Sequence, residues 1–325
     1  MNILVTCPST HYRWVTILRK KFSDAGFGVI TAGNSNRIQG LYASDKAYVV
    51  PSIGEADYVP SLLKICLNDN VKAVLTMADE DILVLSKAAG EFQKIGVIPL
   101  IVNHETAQIC DNKFDFYQFL VEHGYKVAKT FSSLEQFRVA YETKEIMFPV
   151  FIKPVIGAGS WGAMMCRNMD ELLLSLAVNP PSIIQEYLDG PEFSVDVYMD
   201  IVSGKMASVF AKQKLTPVMG TIDTALSIID ERLFSLAETV AQSLGAFGPL
   251  NIDIFKVKGD YYIGEVNPRF GGSYVFADAC GVDFCSLIVD NIRGLECTAS
   301  IGNYQPGILM MKYDEVILRT EDELI

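Results

Sequence analysis

Three polar side chains near residue 260 of this 325-residue sequence have types and a spacing suited to chemistry. Asp253 falls in the run NIDIFKV, Glu265 and Asn267 fall in the run YYIGEVN, and a KGD triplet separates the two runs. Alternating runs around a short glycine-containing break predict two antiparallel strands and a tight turn. Because side chains alternate across a strand, Glu265 and Asn267 share one face, and antiparallel pairing can bring Asp253 beside them.

Two carboxylates and an amide carbonyl on one strand face are oxygen ligands that suit Mg²⁺ or Mn²⁺. A Mg²⁺ site takes one or two carboxylates and leaves its other positions to water and phosphate. Pro268 ends the second strand, and Arg269 then provides a planar donor suited to phosphate or carboxylate. The alternative interpretation is a solvent-facing hairpin with scattered charges.

A second candidate site lies in the stretch PVFIKPVIGAGSWGA. Lys153 falls in its apolar strand, where an uncompensated ammonium group is unfavourable to bury, so a partner anion is implied. The glycine-rich loop that follows permits positive φ and lets backbone amides point at phosphate oxygens. Its candidate contacts are Gly157, Gly159, Ser160 and Gly162. A simple hairpin turn explains the loop alone equally well, but the lysine before it favours a phosphate site.

Together these motifs resemble the ATP-grasp superfamily, whose catalytic strands typically carry an acidic residue and then Glu-x-Asn-x-Arg. The resemblance extends from about Lys113 to the C-terminus and, more loosely, to the region before it. The pattern is most similar to proteins like the carbamoyl-phosphate synthase large subunit, although this chain has room for only one ATP-grasp unit. The resemblance implies ATP and Mg²⁺ (or Mn²⁺) as cofactors, and phosphoryl transfer to a carboxylate. An amine or a thiol would then attack the acyl phosphate.

The resemblance also implies a role for single residues. A lysine that opens an amphipathic helix after Asn112 would contact the nucleotide phosphates, beside the lysine of the apolar strand. In the stretch SIIQEYLDGPEF, backbone groups would pair with the adenine edge, and the acidic residue after the turn would hold the ribose hydroxyls. The residues assigned in this way are Lys113 and Lys153 for phosphate, Glu186, Tyr187 and Leu188 for adenine, Glu192 for ribose, and Asp253, Glu265 and Asn267 for metal.

The basic residue that faces the transferring phosphate is left open between Lys212 and Lys214. Alternation places both on the same strand face, with Lys212 slightly favoured by its position. Arg269 would act with them. A non-catalytic ATP-binding regulatory module is the rival class; its hallmark would be the loss of a metal ligand or phosphate lysine, and every such position is filled.

The elements that must position these residues predict an α/β fold of four segments. Residues 1–102 alternate short apolar runs with amphipathic segments, which predicts a doubly wound parallel sheet. Residues 103–124 predict a helical connection, residues 125–182 the ATP-grasp lid, and residues 183–325 a C-terminal subdomain with the metal site.

Loops at the carboxyl ends of the N-terminal strands are candidate substrate contacts, because ligands bind at that edge of doubly wound sheets. They carry the stretch Pro8–His11 and the acidic run Asp79–Asp81. A structural explanation is equally consistent: Ser9 or Thr10 would cap one helix, and the acidic run would favour the positive end of the next.

The charge, the cysteine pattern and the residues after the first strand argue against three classes of site: nucleic-acid, zinc and dinucleotide sites. A net charge of −12 and a pI near 4.8, with no basic stripe, argue against nucleic acid as a partner. Seven cysteines without a C-x-x-C pair indicate neither disulfides nor zinc, and they are expected to be small buried residues. The first strand runs into CPSTHYRW rather than G-x-G-x-x-G, so NAD or FAD binding by a Rossmann oxidoreductase is disfavoured.

No apolar run approaches the roughly 20 residues of a membrane helix, and MNILVTCPST lacks a secretory leader pattern. The expected location is therefore cytoplasmic, without a membrane partner. Small-molecule carboxylate and amine substrates are the expected partners, with a homodimer as a candidate assembly.

Overall fold

The N-terminal part of the chain forms the parallel sheet predicted from the sequence. The computed structural model describes residues 1–157, 159–218 and 221–325. The strands of this sheet are β1 (Asn2–Thr6), β2 (Gly28–Gly33), β3 (Lys46–Val49), β4 (Val71–Thr76) and β5 (Ile98–Pro99). All neighbouring strands are parallel, in the order β3-β2-β1-β4-β5. The order reverses between β1 and β4, as in doubly wound folds.

Four helices connect these strands: α1 (Tyr12–Asp24), α2 (Tyr58–Asn68), α3 (Asp79–Lys87) and α4 (Ala89–Lys94). The acidic run occupies the first turn of α3, as the helix-end interpretation predicts. The expected cap by Ser9 or Thr10 is wrong, because α1 begins after His11 with no side-chain cap. The chain turns there through Ser9 at a φ of 44°, and the backbone carbonyl of Thr10 accepts from the Tyr12 amide at 2.9 Å.

Two short helices lead out of this sheet, α5 (His104–Asp111) and α6 (Lys113–Glu122). Asn112 separates them, and its side-chain oxygen accepts from the amides of Phe114 and Asp115 at 3.0 and 3.2 Å. Such a cap satisfies amide groups that a helix start leaves free. Lys113 is thereby fixed in the first turn of α6.

The predicted lid has a hydrophobic core of its own, and its last strand runs past the predicted boundary at residue 182. Its elements are β6 (Thr130–Phe131), α7 (Leu134–Glu142), β7 (Val150–Pro154), β8 (Met164–Cys166), α8 (Met169–Val178) and β9 (Ser182–Glu186). The strands form an antiparallel sheet in the order β6-β9-β7-β8. Phe137, Leu172 and Ile184 pack in its core, which is separate from the main core.

The C-terminal part forms a larger sheet. Its elements are β10 (Glu192–Met199), β11 (Met206–Val218), β12 (Thr221–Ile228), α9 (Glu231–Ser243), β13 (Gly248–Val257), β14 (Asp260–Asn267), α10 (Tyr274–Ala279), α11 (Phe284–Ile292), β15 (Ser300–Ile301) and β16 (Leu309–Met311). The strand order is β14-β13-β10-β11-β12-β16, with β15 beside β11. The loop predicted after Pro217 includes Met219 and Gly220, which lie outside the described residues.

The N-terminal and C-terminal sheets share one continuous hydrophobic core. Helix α1 packs against α10 and α11, and the Trp14 ring lies 5.2 Å from Phe270 and 5.0 Å from Tyr274. Lys21 Nζ also lies 2.9 Å from Asp278 Oδ1. The N-terminal sheet is therefore fixed against the C-terminal sheet, whereas the lid packs around its own small core.

All seven cysteines are free, and four of them are buried while Cys7, Cys110 and Cys280 are partly exposed. The described helices include none that is both long and apolar enough to traverse a bilayer.

Candidate active site

A band of polar side chains crosses one face of the large sheet. Lys212 lies opposite Ser194 on the next strand, and Ser194 lies opposite Asp253. Asp253 in turn lies opposite Glu265, the residue beside which the sequence predicted it. Because side chains repeat every second residue, the band contains Lys212, Lys214, Glu192, Ser194, Asp196, Asn251, Asp253, Glu265 and Asn267.

The hairpin that carries the predicted metal ligands closes through Lys258 and Gly259, with φ values of 50° and 88°. Two successive positive φ values are typical of the type I′ turn, whose twist matches that of paired strands. The predicted KGD turn is thus confirmed, and the register that it fixes runs from the pair Val257 and Asp260 to the pair Ile254 and Ile263.

A one-residue bulge at Gly264 turns Glu265 toward the polar face. Asp253 pairs with Glu265, but Ile254 pairs with Ile263, so Gly264 has no partner. Without the bulge, Ile263 and Glu265 would point to the same side of the strand. With it, Ile263 is buried in the core opposite Ile254, and Glu265 joins the band. A β-carbon on Gly264 would lie 2.9 Å from the Phe255 ring, so a larger residue in the bulge would have to displace that ring.

The inner end of the band, defined as Lys212, Asp196, Ser194 and Asn251, is buried and paired. Lys212 is fully buried, and its ammonium group contacts Asp196 Oδ2. Asn251 Nδ2 donates to Ser194 Oγ and to Asp196 Oδ1, each at 2.7 Å. A β-carbon on Gly271 would lie 2.7 Å from Asp196 Oδ1, so the loop after the hairpin covers this end closely. Lys212 therefore has its counter-ion within the core.

The outer end of the band, defined as Lys214, Glu192, Asp253, Glu265 and Asn267, is only partly paired. Lys214 Nζ donates to Glu192 Oε1 at 2.5 Å and to Asp253 Oδ2 at 2.8 Å. Burial would lower the pKa of Lys214, but the charges of Asp253 and Glu192 raise it well above its ordinary value. Burial also raises the pKa of Glu192, against the opposing charge of Lys214. Of the two candidate lysines, Lys214 is the one at the predicted ribose and metal positions.

Lys153 projects from the lid strand β7 toward the outer end. Its neighbours Val150 and Ile152 point into the lid core, while Lys153 lies half-buried on the opposite face. Burial lowers the pKa of Lys153, although the carboxylate of Glu265 opposes that shift. Burial alone would raise the pKa of Glu265, but the charges of Lys153 and Lys113 lower it. The lid lysine and the hairpin carboxylate are therefore close enough for each charge to act on the other.

The glycine loop has the backbone geometry that its composition predicted. Gly157, Gly159 and Gly162 have φ values of 135°, 68° and 71°, and Ser160 also has a positive φ of 58°. Ala158 lies outside the described residues. Lys113 Nζ donates to the carbonyl of Gly157 at 2.6 Å. The first turn of α6 thus contacts the start of the loop, and both line one cleft with Glu265.

The predicted adenine stretch, Glu186 to Leu188, begins at the last residue of β9, and its last two backbone amides make no hydrogen bond within the described residues. The Glu186 amide donates to the carbonyl of Lys129 at 2.8 Å, but no hydrogen bond of the described residues uses the Tyr187 or Leu188 amide. Gly190 then approaches the hairpin so closely that a β-carbon would lie 2.1 Å from the Lys256 carbonyl. This contact, which requires glycine, holds the stretch beside the strands that carry the candidate metal ligands.

Arg269 links the end of the hairpin to the N-terminal sheet. Its Nη2 donates to Asp79 Oδ2 at 2.6 Å, and its Nη1 donates to the Phe270 carbonyl at 3.0 Å. His11 lies near Arg269, and both burial and that positive charge lower its pKa. Of the two N-terminal loops singled out in the sequence, the acidic run lines the cleft through Asp79 and Glu80, and His11 lies near Arg269. Their contact with substrate stays a prediction.

Asp81, the third member of the acidic run, is buried away from the cleft. Tyr58 OH donates to its Oδ1 at 2.8 Å, and Thr6 Oγ1 donates to its Oδ2 at 2.5 Å. Burial raises the pKa of Asp81, although these hydrogen bonds oppose the shift. Its contacts tie α2 and α3 to the end of β1, so Asp81 supports the loops from within.

The hairpin residues fit a divalent cation. Asp253 Oδ1 is buried and has no hydrogen-bond partner within the described residues, so one carboxylate oxygen is available as a ligand. Asn267 Nδ2 lies 3.3 Å from Glu265 Oε1, which leaves the amide oxygen of Asn267 available. In the described part of the chain, no cluster of three or more His, Cys, Asp or Glu side chains is arranged to hold a metal ion. A metal here would thus depend on two carboxylates, the amide and phosphate oxygens, as is usual for Mg²⁺.

Three residues that sequence reasoning did not single out complete the arrangement: Ser194, Asp196 and Asn251. Ser194 and Asn251 lie opposite the candidate ligands Asp253 and Asn267, and Asp196 lies opposite Asn251, so the alternation of the strands could have found all three. The ion pair of Asp79 with Arg269 joins residues 190 positions apart, and no local pattern signals it.

Comparison with known proteins agrees with this arrangement. The profile of the ATP-grasp domain matches residues 110–273, and the profile of the PylC-like N-terminal domain matches residues 3–101. The α-aminoadipate–LysW ligase LysX of Saccharolobus solfataricus is 31% identical over 194 residues, which cover 52% of this chain and 65% of LysX. The arginine-specific carbamoyl phosphate synthase large chain of Bacillus subtilis is 25% identical, covering 68% of this chain but 22% of that protein.

Among solved structures, the fold resembles the biotin carboxylase domain of Hydrogenobacter thermophilus 2-oxoglutarate carboxylase, crystallised as a dimer with MgADP, ADP and bicarbonate. The TM-score is 0.74 at 16% identity, over 95% of this chain and 73% of the other. This likeness concerns the fold. Because the ATP-grasp profile spans 164 of the 325 residues (110 to 273), half of the sequence, the chain belongs to the ATP-grasp family, as its motifs predicted.

Proposed function

We propose that this chain is an ATP-dependent ligase that joins a small-molecule carboxylate to an amine or a thiol through an acyl phosphate. The observation that carries the proposal is the convergence of three separate stretches on Glu265. Lys113 and the glycine loop line one cleft with Glu265, and the charges of Lys153 and Lys113 both lower the pKa of Glu265. The chain spans 65% of LysX and 22% of the synthase, so their activities serve here only as support for this class of reaction.

In the proposed reaction, the backbone of Glu186 to Leu188 pairs with adenine and Glu192 accepts from the ribose. Lys113, Lys153 and the amides of the glycine loop bind the phosphates. Burial lowers the pKa of the half-buried Lys153, and an anionic phosphate beside it would oppose that shift. These groups hold the nucleotide in line with the acceptor, and such positioning supplies most of the catalysis of phosphoryl transfer.

Asp253, Glu265 and Asn267 would hold the divalent cation, which neutralises charge on the phosphate oxygens. Arg269, fixed by Asp79, would orient the substrate carboxylate and then the acyl phosphate. The carboxylate oxygen forms a bond to the γ-phosphorus as the bond to ADP breaks. The amine or thiol then attacks the acyl carbon, and inorganic phosphate leaves. No side-chain nucleophile is required.

Closure of the lid over the nucleotide would also exclude water from the acyl phosphate. The lid carries the glycine loop on a separate small core, so it can move relative to the other two sheets.

The name of LysX pairs α-aminoadipate with LysW. For this chain we propose small-molecule partners and keep the homodimer as a prediction.

The test is ADP release from ATP and Mg²⁺ in the presence of pooled carboxylic acids with pooled amines or thiols. We expect one carboxylate pool to stimulate ADP formation, and omission of the nucleophile to reduce it. Lys205→Met is a suitable control variant, because it removes one positive charge from an exposed position on a turn before β11 and should leave ADP formation unchanged. A chain that binds ATP yet releases no ADP with any pool would be a binding module and would contradict the proposal.

A further inference from the structure

Lys214 touches two carboxylates that the proposed site assigns to different parts of the nucleotide complex. Glu192 is the proposed ribose acceptor and Asp253 a proposed metal ligand, and Lys214 Nζ lies 2.5 Å from one and 2.8 Å from the other. The exposed fractions of the three side chains are 12% for Lys214, 26% for Glu192 and 13% for Asp253. Charge interactions in such a partly buried place are far stronger than at an open surface.

The outer end of the band is charge-balanced without a nucleotide. Three lysines, Lys214, Lys153 and Lys113, act on three carboxylates: Lys214 on Glu192 and Asp253, and the other two on Glu265. A divalent cation that entered alone would lie next to the Lys214 ammonium group, and the two would repel each other. A cation that enters with a nucleotide triphosphate brings compensating negative charge, and the phosphates give Lys214 a new partner.

The two oxygens of Asp253 show how a metal ion could replace Lys214 as its cationic partner. Its Oδ2 accepts from Lys214, while its Oδ1 is buried and without a partner among the described residues. One oxygen is therefore neutralised by the lysine, and the other is ready for a further ligand. Lys212 cannot substitute for Lys214, because its ammonium group is fully buried against Asp196.

From this geometry we infer that Lys214 is a resident cation that holds the place of the metal until nucleotide arrives, so that it couples ribose recognition at Glu192 to metal binding at Asp253. The inference rests on the proposed ATP site and extends it to the order of binding. Because binding energies are linked, nucleotide must strengthen metal binding by the same factor by which metal strengthens nucleotide binding.

The test is the Mn²⁺ affinity of the whole chain, measured from the electron paramagnetic resonance signal of free Mn²⁺ with and without a non-hydrolysable ATP analogue. Wild type should bind Mn²⁺ weakly alone and more tightly with the analogue. Lys214→Met removes the competing cation, so nucleotide-free Mn²⁺ affinity should rise by about tenfold or more. The gain produced by the analogue should shrink correspondingly.

Three further variants keep the test sharp. Lys214→Gln should behave like Lys214→Met while keeping a polar group in the partly buried position. Lys205→Met, with the same loss of charge on an exposed turn, should bind Mn²⁺ as wild type does. Glu192→Gln leaves Lys214 with Asp253 as its carboxylate partner, so nucleotide-free Mn²⁺ binding should not tighten.

Mn²⁺ affinities for both Lys214 variants that stay within about threefold of Lys205→Met, with the gain from the analogue unchanged, would overturn the role of Lys214. That result leaves the ATP site intact if wild type still binds the analogue with Mn²⁺. A wild type that binds no analogue at all, with or without Mn²⁺, would instead refute the proposed function.

Discussion

The inner and outer ends of the polar band lie on the same sheet face, two residues apart on β11, yet they differ in how their polar groups are satisfied. At the inner end, Lys212 has Asp196 as a counter-ion, and Asn251 bonds both neighbours. At the outer end, Asp253 has an orphan oxygen, and burial lowers the pKa of Lys153. A buried network that is complete stabilises one conformation, whereas an incomplete one is a place for a ligand.

The largest expected effect is on stability at the inner end. Lys212→Met leaves the Asp196 carboxylate buried without its counter-ion, and breaking a buried pair in this way typically destabilises by about 3–5 kcal/mol. Urea unfolding monitored by circular dichroism would measure it. The matched variant Lys214→Met should lose less stability, because its partners Glu192 and Asp253 are more exposed to water than Asp196. Equal losses at the two positions would remove the distinction between the ends.

The next largest effect is on turnover at the outer end. Glu265→Gln keeps the size of the side chain but removes its charge, so metal-dependent ADP formation should fall about a hundredfold or more, at least roughly 2.7 kcal/mol. Adenosine binding should persist, because the adenine stretch lies on other strands. The measurement is ADP formation against Mg²⁺ concentration once an accepting carboxylate is found. Turnover that stays near normal, with an unaltered metal dependence, would make Glu265 a surface charge.

A smaller effect is expected where the lid meets the outer end. Lys153→Met should weaken ATP binding by about 1.5–3 kcal/mol, the range for a hydrogen bond to a charged group, while the fold survives. Calorimetric titration with an ATP analogue would measure the change. Lys144→Met is a suitable control, because Lys144 lies exposed in the lid and loses the same charge. Unchanged nucleotide affinity in Lys153→Met would argue against a phosphate contact.

Local patterns in the sequence predicted the outer end better than the inner end. The Lys258–Gly259 turn and strand alternation placed Asp253, Glu265 and Asn267 on one hairpin, but regular pairing from that turn would put Asp253 opposite Gly264, and the bulge brings it opposite Glu265. The choice between Lys212 and Lys214 depended on Asp196, a partner on another strand, so position along β11 alone could not decide it. The bulge at Gly264 was also missed, because a single glycine in a strand is a weak signal.

Contacts between distant segments were the part that sequence reasoning could not supply. The pair of Asp79 with Arg269 depends on how the N-terminal sheet packs on the C-terminal one, through a shared core. The helix cap failed for a related reason: the backbone turn at Ser9 has a positive φ, which its residue type does not announce. Both features are set by tertiary packing.

The smallest and most local effect concerns the motion of the lid. An ATP analogue with Mg²⁺ should slow amide exchange in the stretch Ile156–Met164, of which Ala158 lies outside the described residues, much more than in the N-terminal sheet. The reason is that the glycine loop would close on the phosphates, while the N-terminal sheet already shares the main core. Hydrogen-exchange mass spectrometry measures both regions at once. Equal protection with and without the analogue would contradict a closing lid.

The central claim, that the outer end of the band is the metal and nucleotide site, is tested most directly by anomalous scattering from Mn²⁺ in crystals grown with an ATP analogue. The predicted result is a manganese peak bound by Asp253, Glu265 and Asn267 together with phosphate oxygens, and Lys153 on the same phosphates. A manganese–nucleotide complex found elsewhere on the chain, with Lys214 still bridging Glu192 and Asp253, would contradict the claim.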